Sequence, residues 1–292
     1  MIKENFNNFK IAIIGLGLMG GSLAYALKGF KDCSVIGYDV DAETMKKAIE
    51  KKAVDRIAVS IKDAICEADL TVFCTSPHHI LNDIRENAPH FKKGSVITDI
   101  CGVKEQILAL ISEIKISGGF PEDVEYIGIH PMAGKEVNGF DNADPVIFRK
   151  AGFILILPEK YRDSSLELIK DFSLYVGAGR ICVNSAVEHD EIIAYTSDLM
   201  HIAAAALCVH YPKNMTMAHT AGAFRDCTRI ANIKADLWTD LLTENSTNIL
   251  PHLDLYINSL VDFRNALAEN NQEFIYSFLD TACKNKKEIQ QL

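Results

Sequence analysis

An α/β half followed by an all-helical half is the fold class that this sequence predicts, and three observations predict it. Short β-rich runs alternate with stretches of helical periodicity up to Val183. A glycine-rich turn joins the first of these runs to the first helix, and strand patterns stop after Val183. Alternation of strands and helices implies a mainly parallel sheet with crossover helices. We therefore expect an α/β domain over residues 1–183 and a helical domain over residues 184–292.

The bulk composition is that of an ordinary globular chain. Its 292 residues, 48% hydrophobic and 24% charged, suffice for two domains. A net charge of −9 argues against a nucleic acid or an anionic membrane surface as a partner. The apolar stretches fall short of the roughly 20 residues that cross a bilayer, and the segment before Lys10 lacks a secretory apolar core. We expect a cytoplasmic protein without a membrane or nucleic-acid partner.

The eight cysteines indicate reduced thiols. No two of them form a C-x-x-C pair, and several lie inside apolar runs. This usage is typical of a cytosolic protein without disulfides, and we expect no metal site.

Each element is predicted from a local apolar pattern. The expected strands are Ile11–Ile14, Val35–Tyr38, Leu70–Cys74, Val96–Thr98, Tyr126–Ile129, Phe153–Leu157 and Arg180–Val183. The expected helices are Ala42–Lys52, His79–Asn87, Val103–Lys115, Ala186–His210, Thr220–Ile230, Ala235–Glu244, Pro251–Glu269 and Gln272–Lys287. Short connections between the later strands predict that part of the sheet is mixed. The alanine run Ala203–Ala206 lets helices approach closely, so we expect its helix to be buried on more than one side, in the core of a homodimer.

The turn after the first strand has the G-x-G-x-x-G pattern of a dinucleotide-binding loop. Gly15 permits a tight turn, Gly17 lets the backbone approach a pyrophosphate, and Gly20 allows close packing of helix and strand. The second strand ends at Asp39, 19 residues after Gly20, where a carboxylate accepts hydrogen bonds from ribose hydroxyls and repels a 2′-phosphate. The pattern predicts a Rossmann-type domain that binds NAD rather than NADP. The expected contacts are Gly15, Gly17, Leu18, Met19, Gly20 and Asp39.

Two further residues are candidates for the nucleotide cleft. Ser76 and Pro77 follow the apolar strand Leu70–Cys74. The turn after this strand faces the dinucleotide in such folds. We expect one or both side chains to line the cleft.

His130 is the candidate general base. It ends a strand and precedes proline and glycine in Gly128-Ile-His-Pro-Met-Ala-Gly134. Ligands bind at this end of strands in open α/β sheets, and histidine titrates near neutral pH. Judged on this segment alone, a structural histidine is an equal alternative.

At this point the sequence resembles the prephenate dehydrogenase family of tyrosine biosynthesis. Five segments carry the resemblance in the right order along the chain: GLGLMGGSLA (15–24), HPMAGKE (130–136), VEHD (187–190), LMHIAAAAL (199–207) and AFRDCTRIA (223–231). The resemblance implies an NAD-dependent dehydrogenase that removes a hydride from the ring carbon bearing the hydroxyl, while carbon dioxide leaves and the ring becomes aromatic. It implies that His130 accepts the proton of that hydroxyl, and that His201 lies against the substrate's pyruvyl side chain. A buried structural histidine is the alternative for His201.

The resemblance also implies a substrate-binding helix. Arg225 and Arg229 are four residues apart and share a helical face. Arg229 would bind a substrate carboxylate, as a guanidinium does well. Asp226 and Glu136 would form ionic contacts around it, and Gly222 would bring backbone close to the ligand. A solvated helix face with ordinary salt bridges is the alternative.

The sequence departs from the family in two places. Gly102 stands where many members have a serine that orients the catalytic histidine, so a water or Cys101 would have to replace that contact. Asp198 stands where members often have a histidine, three residues before His201.

Other functions remain open at this stage. The GLGLMG loop also resembles β-hydroxyacid dehydrogenases, although the segments around His130 and Arg229 fit that class poorly. A non-catalytic NAD-binding dimeric sensor would keep Gly17 and Asp39 without needing those two residues. The substrate is also open, because Asp236 lies where an acidic residue tends to accompany use of arogenate, whose ammonium group it could contact. Asp236 could instead complement the dipole of its helix, and prephenate is the first expectation.

Overall fold

The structure is a computed structural model that describes residues 9–291. The strands are β1 (Lys10–Ile14), β2 (Ser34–Tyr38), β3 (Arg56–Ile57), β4 (Leu70–Phe73), β5 (Val96–Asp99), β6 (Glu125–Tyr126), β7 (Gly128–Pro131), β8 (Gly152–Ile156) and β9 (Arg180–Asn184). The first helices are α1 (Leu18–Ala26), α2 (Ala42–Glu50), α3 (Ile61–Ile65), α4 (Pro77–Asn87), α5 (Glu105–Ile116) and α6 (Asp163–Val176). They are followed by α7 (Ala186–Ile193), α8 (Leu199–Val209), α9 (Gly222–Thr228), α10 (Ala235–Glu244), α11 (Ser246–Ala268) and α12 (Gln272–Ile289).

The predicted fold class is confirmed: a Rossmann-type parallel sheet comes first and helices follow. Six strands form the sheet in the order β3-β2-β1-β4-β5-β6, and every neighbouring pair is parallel. Ile11 and Ile13 pack into the apolar core on one face, and Ala12 and Ile14 pack into the core on the other. Burial on both faces of the sheet explains why Ile11–Ile14 is apolar at every position instead of alternating with polar residues.

The later strands form a separate three-stranded sheet, β7-β8-β9. Strands β7 and β8 are antiparallel, whereas β8 and β9 are parallel, so the expected mixed pairing is present. The predicted strand Tyr126–Ile129 divides at Ile127, with β6 in the first sheet and β7 in the second. The sequence reading missed α6, which supplies the crossover that a parallel β8–β9 pair requires.

The predicted helix Ala186–His210 is continuous but not uniform. A π-helical turn, Ala194–Asp198, separates α7 from α8. Such turns widen a helix locally and are frequent at functional sites. Of the alanine run only Ala204 is buried, and Ala206 is exposed, so the expectation of a helix buried on several sides is wrong for a single chain.

The same segment corrects the expectation about membrane-spanning length. Ala186–Val209 is long enough to cross a membrane and has a mean hydropathy of 1.6. Its length and composition are weak evidence, because a core helix of a soluble protein passes the same test. Asp190 and Asp198 lie inside this segment, are buried and accept hydrogen bonds within the protein.

The described chain divides into two compact units, one extending to Asn245 and one beginning at Ser246. The second unit is a helical hairpin of α11 and α12, in which Phe263 and Phe278 lie 5.2 Å apart between ring centroids. Helix α11 begins before the predicted start at Pro251. The strands end at Asn184, and a domain boundary near residue 183 stays a prediction.

Substituting Gly20 with alanine is expected to destabilise the first unit. An ideal Cβ there would lie 1.9 Å from the carbonyl oxygen of Gly15. Overpacking costs about 1–3 kcal/mol or more, and about 3 kcal/mol lowers the Tm of a domain of this size by roughly 6–12 °C. Thermal unfolding followed by circular dichroism measures the change. Gly17→Ala is the matched control, because its Cβ would meet nothing within 4 Å and the Tm should be unchanged. Equal Tm values for the two variants would contradict the tight packing at Gly20.

Candidate active site

A cavity of about 850 Å³ lies at the carboxyl ends of β1, β4 and β5. Because these strands are parallel and adjacent, the residues that follow them, Gly15, Cys74 and Ile100, meet at one edge of the sheet and line the cavity. This is the edge where open α/β sheets bind ligands. The π-helical turn, α8 and α10 supply the opposite wall.

The glycine loop forms one end of the cavity. Gly15 has a φ of +92°, a conformation that favours glycine, and its Cβ would collide with the Thr75 side chain. Gly17 precedes α1 and has open space where a Cβ would stand, so a ligand can approach its backbone. No side chain caps α1, and Leu18 and Met19 line the cavity. The first N–H groups of the helix therefore remain available to an anion.

Asp39 lies at the same end and is held by backbone. Its Oδ2 accepts a hydrogen bond from the Leu16 N–H at 2.7 Å, and its Oδ1 accepts one from the Asp41 N–H at 2.9 Å. A carboxylate has about four acceptor sites, so two remain for ligand hydroxyls. The structure thus places a fixed acceptor beside the glycine loop.

Ser76 lines the cavity, whereas Pro77 does not. Ser76 lines the cavity, and its hydroxyl lies 2.8 Å from Nδ1 of His79. Pro77 is buried at the first position of α4 and is not among the residues that line the cavity. Proline fits this position because it has no N–H to satisfy. The interpretation of Pro77 as a cleft residue is therefore corrected.

His130, on β7, lines the cavity. Its Nδ1 is 2.9 Å from Nε2 of His189, and Nδ1 of His189 is 2.6 Å from Oδ1 of Asp190. The three side chains form a hydrogen-bonded row that ends inside the protein, where His189 is fully buried. Within the described residues, Nε2 of His130 has no protein partner, so it is available to a ligand in the cavity.

A buried cation lies behind this row. Lys104 is fully buried and its ammonium group donates to Oδ1 of Asp99 at 2.5 Å, while the Tyr126 hydroxyl donates to Oδ2 at 2.6 Å. Burial, the neighbouring His189 and the Lys104 charge hold the pKa of His130 well below its ordinary value. Burial also lowers the pKa of His189. Both imidazoles are therefore neutral at neutral pH, as a general base requires.

Gly102, which stands where the resembling family often has a serine, lies next to His130. A Cβ on Gly102 would lie 3.8 Å from Cε1 and 3.9 Å from Nε2 of His130. Burial raises the pKa of the Cys101 thiol to about 12, and its hydrogen bonds among the described residues do not include His130. The protein side chain that holds His130 is instead His189.

His201 forms part of the opposite wall. Its Nδ1 donates to the carbonyl of Ser197 at 2.9 Å, its Nε2 has no hydrogen-bond partner among residues 9–291, and burial lowers the pKa of the ring. The ring lies against Trp238, with 3.7 Å between ring centroids, and both residues line the cavity. The predicted position of His201 at the substrate cavity is consistent with this arrangement.

Glu136 and Arg229 lie at the mouth of the cavity. They form an ion pair across 93 residues of sequence, and Glu136 lines the cavity. The side chain of Arg229 is 63% exposed. A guanidinium in this position can exchange part of its pairing with Glu136 for contact with an incoming carboxylate.

The remaining residues of the predicted substrate helix lie elsewhere in the single chain. Gly222, Arg225 and Asp226 are exposed and do not line the cavity. Among residues 9–291, Asp226 forms no ion pair with Arg229, which corrects that expectation. Helix α9 ends at Thr228, and Arg229 begins a 3-10 turn. The predicted single helix therefore stops one residue before the arginine.

Three carboxylates, those of Asp198, Asp236 and Asp240, line the cavity from the helical side. Asp236 lies in the first turn of α10 and lines the cavity. Asp198 also lines it and accepts a hydrogen bond from the Asn245 amide at 2.8 Å. Burial raises the pKa of Asp198 to about 6. The site therefore offers negative charge on its helical wall.

Comparison with known proteins identifies the family. A model of the prephenate dehydrogenase nucleotide-binding domain matches residues 23–182, and one of the prephenate dehydrogenase dimerization domain matches residues 185–281. The cyclohexadienyl dehydrogenase of Zymomonas mobilis is 33% identical over 272 residues, which are 91% of this chain and 90% of that protein. The prephenate dehydrogenase of Bacillus subtilis is 28% identical and covers 93% of this chain and 74% of its own length. This chain belongs to the prephenate dehydrogenase family.

Solved structures agree with this assignment. Synechocystis arogenate dehydrogenase has a TM-score of 0.77 at 25% identity, covering 96% of this chain and 99% of its own. The prephenate dehydrogenase of A. aeolicus, solved with hydroxyphenyl propionate and NAD⁺, shares the fold with a TM-score of 0.82 at 24% identity, covering 96% and 98% of the two chains. As a member of the prephenate dehydrogenase family the chain is a dehydrogenase, and the alternative of a non-catalytic sensor finds no support.

NAD is the cofactor of this dehydrogenase, and the residues present fit it. The open space at Gly17 and the uncapped start of α1 suit a pyrophosphate, and the fixed carboxylate of Asp39 suits a ribose diol. Among the described residues, no cluster of three histidine, cysteine or acidic side chains is placed to hold a metal ion.

Sequence reasoning missed the residues behind and opposite the base. The sequence analysis includes His189 and Asp190 only within the segment VEHD (187–190) and assigns no role to Lys104. The adjacent pair His189-Asp190 on a predicted helix could have indicated a hydrogen-bonded partner for His130, because a carboxylate beside a histidine orients its ring. Trp238, the single tryptophan of the chain, offered no such sign, because its contact with His201 depends on the packing of α8 and α10.

Replacing Asp39 is expected to shift the cofactor preference of this prephenate dehydrogenase family member. Asp39→Ala removes ribose hydrogen bonds and the charge that repels a 2′-phosphate, so NAD affinity should fall about 10- to 100-fold and NADP should improve relative to NAD. Protein fluorescence titrations with both cofactors measure the change. Asp55→Asn is the matched control, since Asp55 also accepts a backbone N–H, from Val35, but lies outside the cavity lining. A wild-type preference for NADP would contradict the role of Asp39.

Proposed function

We propose that this chain catalyses the NAD-dependent oxidative decarboxylation of prephenate to 4-hydroxyphenylpyruvate in tyrosine biosynthesis. The observation that carries the proposal is the neutral His130, whose Nε2 is unpartnered within the described residues and borders a cavity that also holds the glycine loop and Asp39. Relatives named prephenate and cyclohexadienyl dehydrogenases support the substrate class.

His130 acts on the ring hydroxyl. Its Nε2 accepts the hydroxyl proton, and the electrons of the O–H bond form a carbonyl as the ring carbon loses a hydride. The bond to the carboxyl group then breaks, carbon dioxide leaves, and the electron pair left in the ring makes it aromatic. The carbonyl oxygen becomes a phenolate, which recovers the proton from His130. NAD, when bound, supplies the hydride acceptor. The low pKa of His130 keeps Nε2 unprotonated before substrate binds.

The carboxylates of the substrate contact the helical wall of the cavity and its mouth. Arg229 offers a guanidinium for one carboxylate at the cavity mouth, where it pairs with Glu136 in the ligand-free chain. His201 and Trp238 flank the space for the side chain of the substrate. Gly222, Arg225 and Asp226 lie outside the cavity lining, so a direct role for them in substrate binding is not part of this proposal.

A homodimer is part of the proposed function. The segment matched by the dimerization-domain model carries many exposed apolar side chains. They include Leu207, Val209, Leu255, Leu260, Val261 and Leu279. Exposed apolar side chains often mark a contact with another protein, and a second copy of the chain would cover these. We place the enzyme in the cytoplasm, as expected for a biosynthetic dehydrogenase.

The decisive test of the function replaces the base. His130→Asn should lower turnover with prephenate by roughly 10²–10⁴-fold, the usual contribution of a positioned base, while the Kd for NAD stays unchanged. NADH formation at 340 nm measures turnover, and fluorescence titration measures the Kd. His78→Asn, an exposed histidine on α4 outside the cavity lining, is the matched control. Retention of most of the turnover by His130→Asn would remove His130 from the mechanism.

Arogenate is the second candidate substrate, and the position of Asp236 at the cavity favours it. Arogenate carries an ammonium group where prephenate has a ketone, and a carboxylate can bind it. Asp236→Asn should then shift the ratio of kcat/KM values toward prephenate by about tenfold or more, the worth of one charged contact. Steady-state rates with both substrates measure the ratio. Asp240→Asn, one turn further along α10 and also at the cavity, is the comparison variant. If Asp236→Asn leaves the ratio unchanged, Asp236 only complements the dipole of its helix. Equal shifts of the ratio in both variants would indicate a general effect of negative charge at the cavity.

A further inference from the structure

We infer that His189 and Asp190 position His130 for catalysis by determining which of its ring nitrogens carries a proton. This inference rests on the proposed role of His130 as the base. Neither residue lines the cavity, so both act through His130 rather than on the substrate. They occupy the row in which Nδ1 of His130 meets Nε2 of His189 at 2.9 Å, and Nδ1 of His189 meets Oδ1 of Asp190 at 2.6 Å.

The protons in this row can be assigned from hydrogen-bond chemistry. An ionised carboxylate only accepts, so Nδ1 of His189 must donate to Asp190. A neutral imidazole has one donor and one acceptor, so Nε2 of His189 carries the lone pair and Nδ1 of His130 donates to it. The lone pair of His130 is then on Nε2, the nitrogen that faces Gly102 and the cavity. Asp190 thus selects the basic tautomer of a residue it does not touch.

The far end of the row is rigid. The Asp190 carboxylate also accepts from the backbone N–H groups of Lys104 and Glu105, at 2.9 Å each. The Asn245 amide donates to the Asp190 carbonyl at 2.9 Å. Because these partners come from α5 and α10, Asp190 cannot rotate away from His189 without breaking buried hydrogen bonds.

The ring of His130 is held without a hydroxyl at position 102. Gly102 offers no hydroxyl to His130, and the ring is held from its other nitrogen instead. When Nε2 accepts the substrate proton, the resulting imidazolium donates through Nδ1 to His189. The charge of Asp190 at the end of the row then stabilises the protonated pair.

The primary test is Asp190→Asn. The amide can donate to Nδ1 of His189 while its oxygen still accepts from the Lys104 and Glu105 N–H groups. His189 must then carry its proton on Nε2 and donate to His130, which moves the His130 proton to Nε2 and removes the base. We expect kcat to fall roughly 10²–10⁴-fold, as when the orienting aspartate of a catalytic triad is amidated, with the KM, the NAD Kd and the Tm unchanged. Glu191→Gln, an exposed carboxylate on the same helix, is the matched control.

A second pair of variants separates positioning from folding. His189→Leu removes the acceptor for Nδ1 of His130 and should lower kcat strongly. His189→Gln restores an acceptor oxygen near the position of Nε2 and should recover a large part of kcat. If His189 served only packing, glutamine would be no better than leucine, and the Tm and the NAD Kd would change together with kcat.

Combination with the base variant decides whether the row acts through His130. In the His130→Asn background, Asp190→Asn should cause no further loss of turnover, because its target is already absent. An equal further loss in that background, or full kcat in Asp190→Asn alone, would overturn the inference. An active His130→Asn enzyme would instead refute the proposed function, so the two failures are distinguishable.

Discussion

One buried carboxylate, that of Asp190, joins the elements that surround His130. It accepts hydrogen bonds from the start of α5 and from the neighbouring His189, and so ties the helical segment after β9 to the loop that follows β5. Burying a charge costs several kcal/mol unless hydrogen bonds compensate it, and these donors do so. The two donors from the start of α5 are backbone N–H groups, so main chain rather than a flexible side chain holds this connection.

The second buried charge sets the electrostatics of the site. The Lys104 ammonium group pairs with Asp99 inside the protein, and the Tyr126 hydroxyl completes the hydrogen bonds of that carboxylate. Burial is the main cause of the lowered pKa values of His130 and His189, and the Lys104 charge lowers them further. The loop from Asp99 to Lys104 has two roles. It lines the cavity at Cys101 and Gly102, and its lysine helps to keep His130 neutral.

The two halves of the site have different chemical characters. The sheet edge presents backbone and small residues, of which Gly17 leaves room for a ligand and Asp39 is fixed by two backbone N–H groups. The helical wall presents His201, Trp238 and carboxylates. In the proposed function, NAD contacts the sheet edge and the side chain of the substrate contacts the helical wall. The residues that would distinguish prephenate from arogenate therefore belong to the helical wall in this proposal.

The sequence by itself determined the features that are local. Alternating apolar runs predicted β1, β2, β4 and β5, and the glycine spacing with Asp39 predicted the nucleotide loop, because strand period and turn geometry are written in neighbouring residues. Only the tertiary structure decided which partner holds His130, since His189 is 59 residues away and reaches it because α7 packs against the sheet that contains β7. It also decided that Pro77 and α9 lie off the cavity and that Trp238 covers His201. Such contacts depend on how separate elements pack, and no periodicity or spacing within one element carries that information.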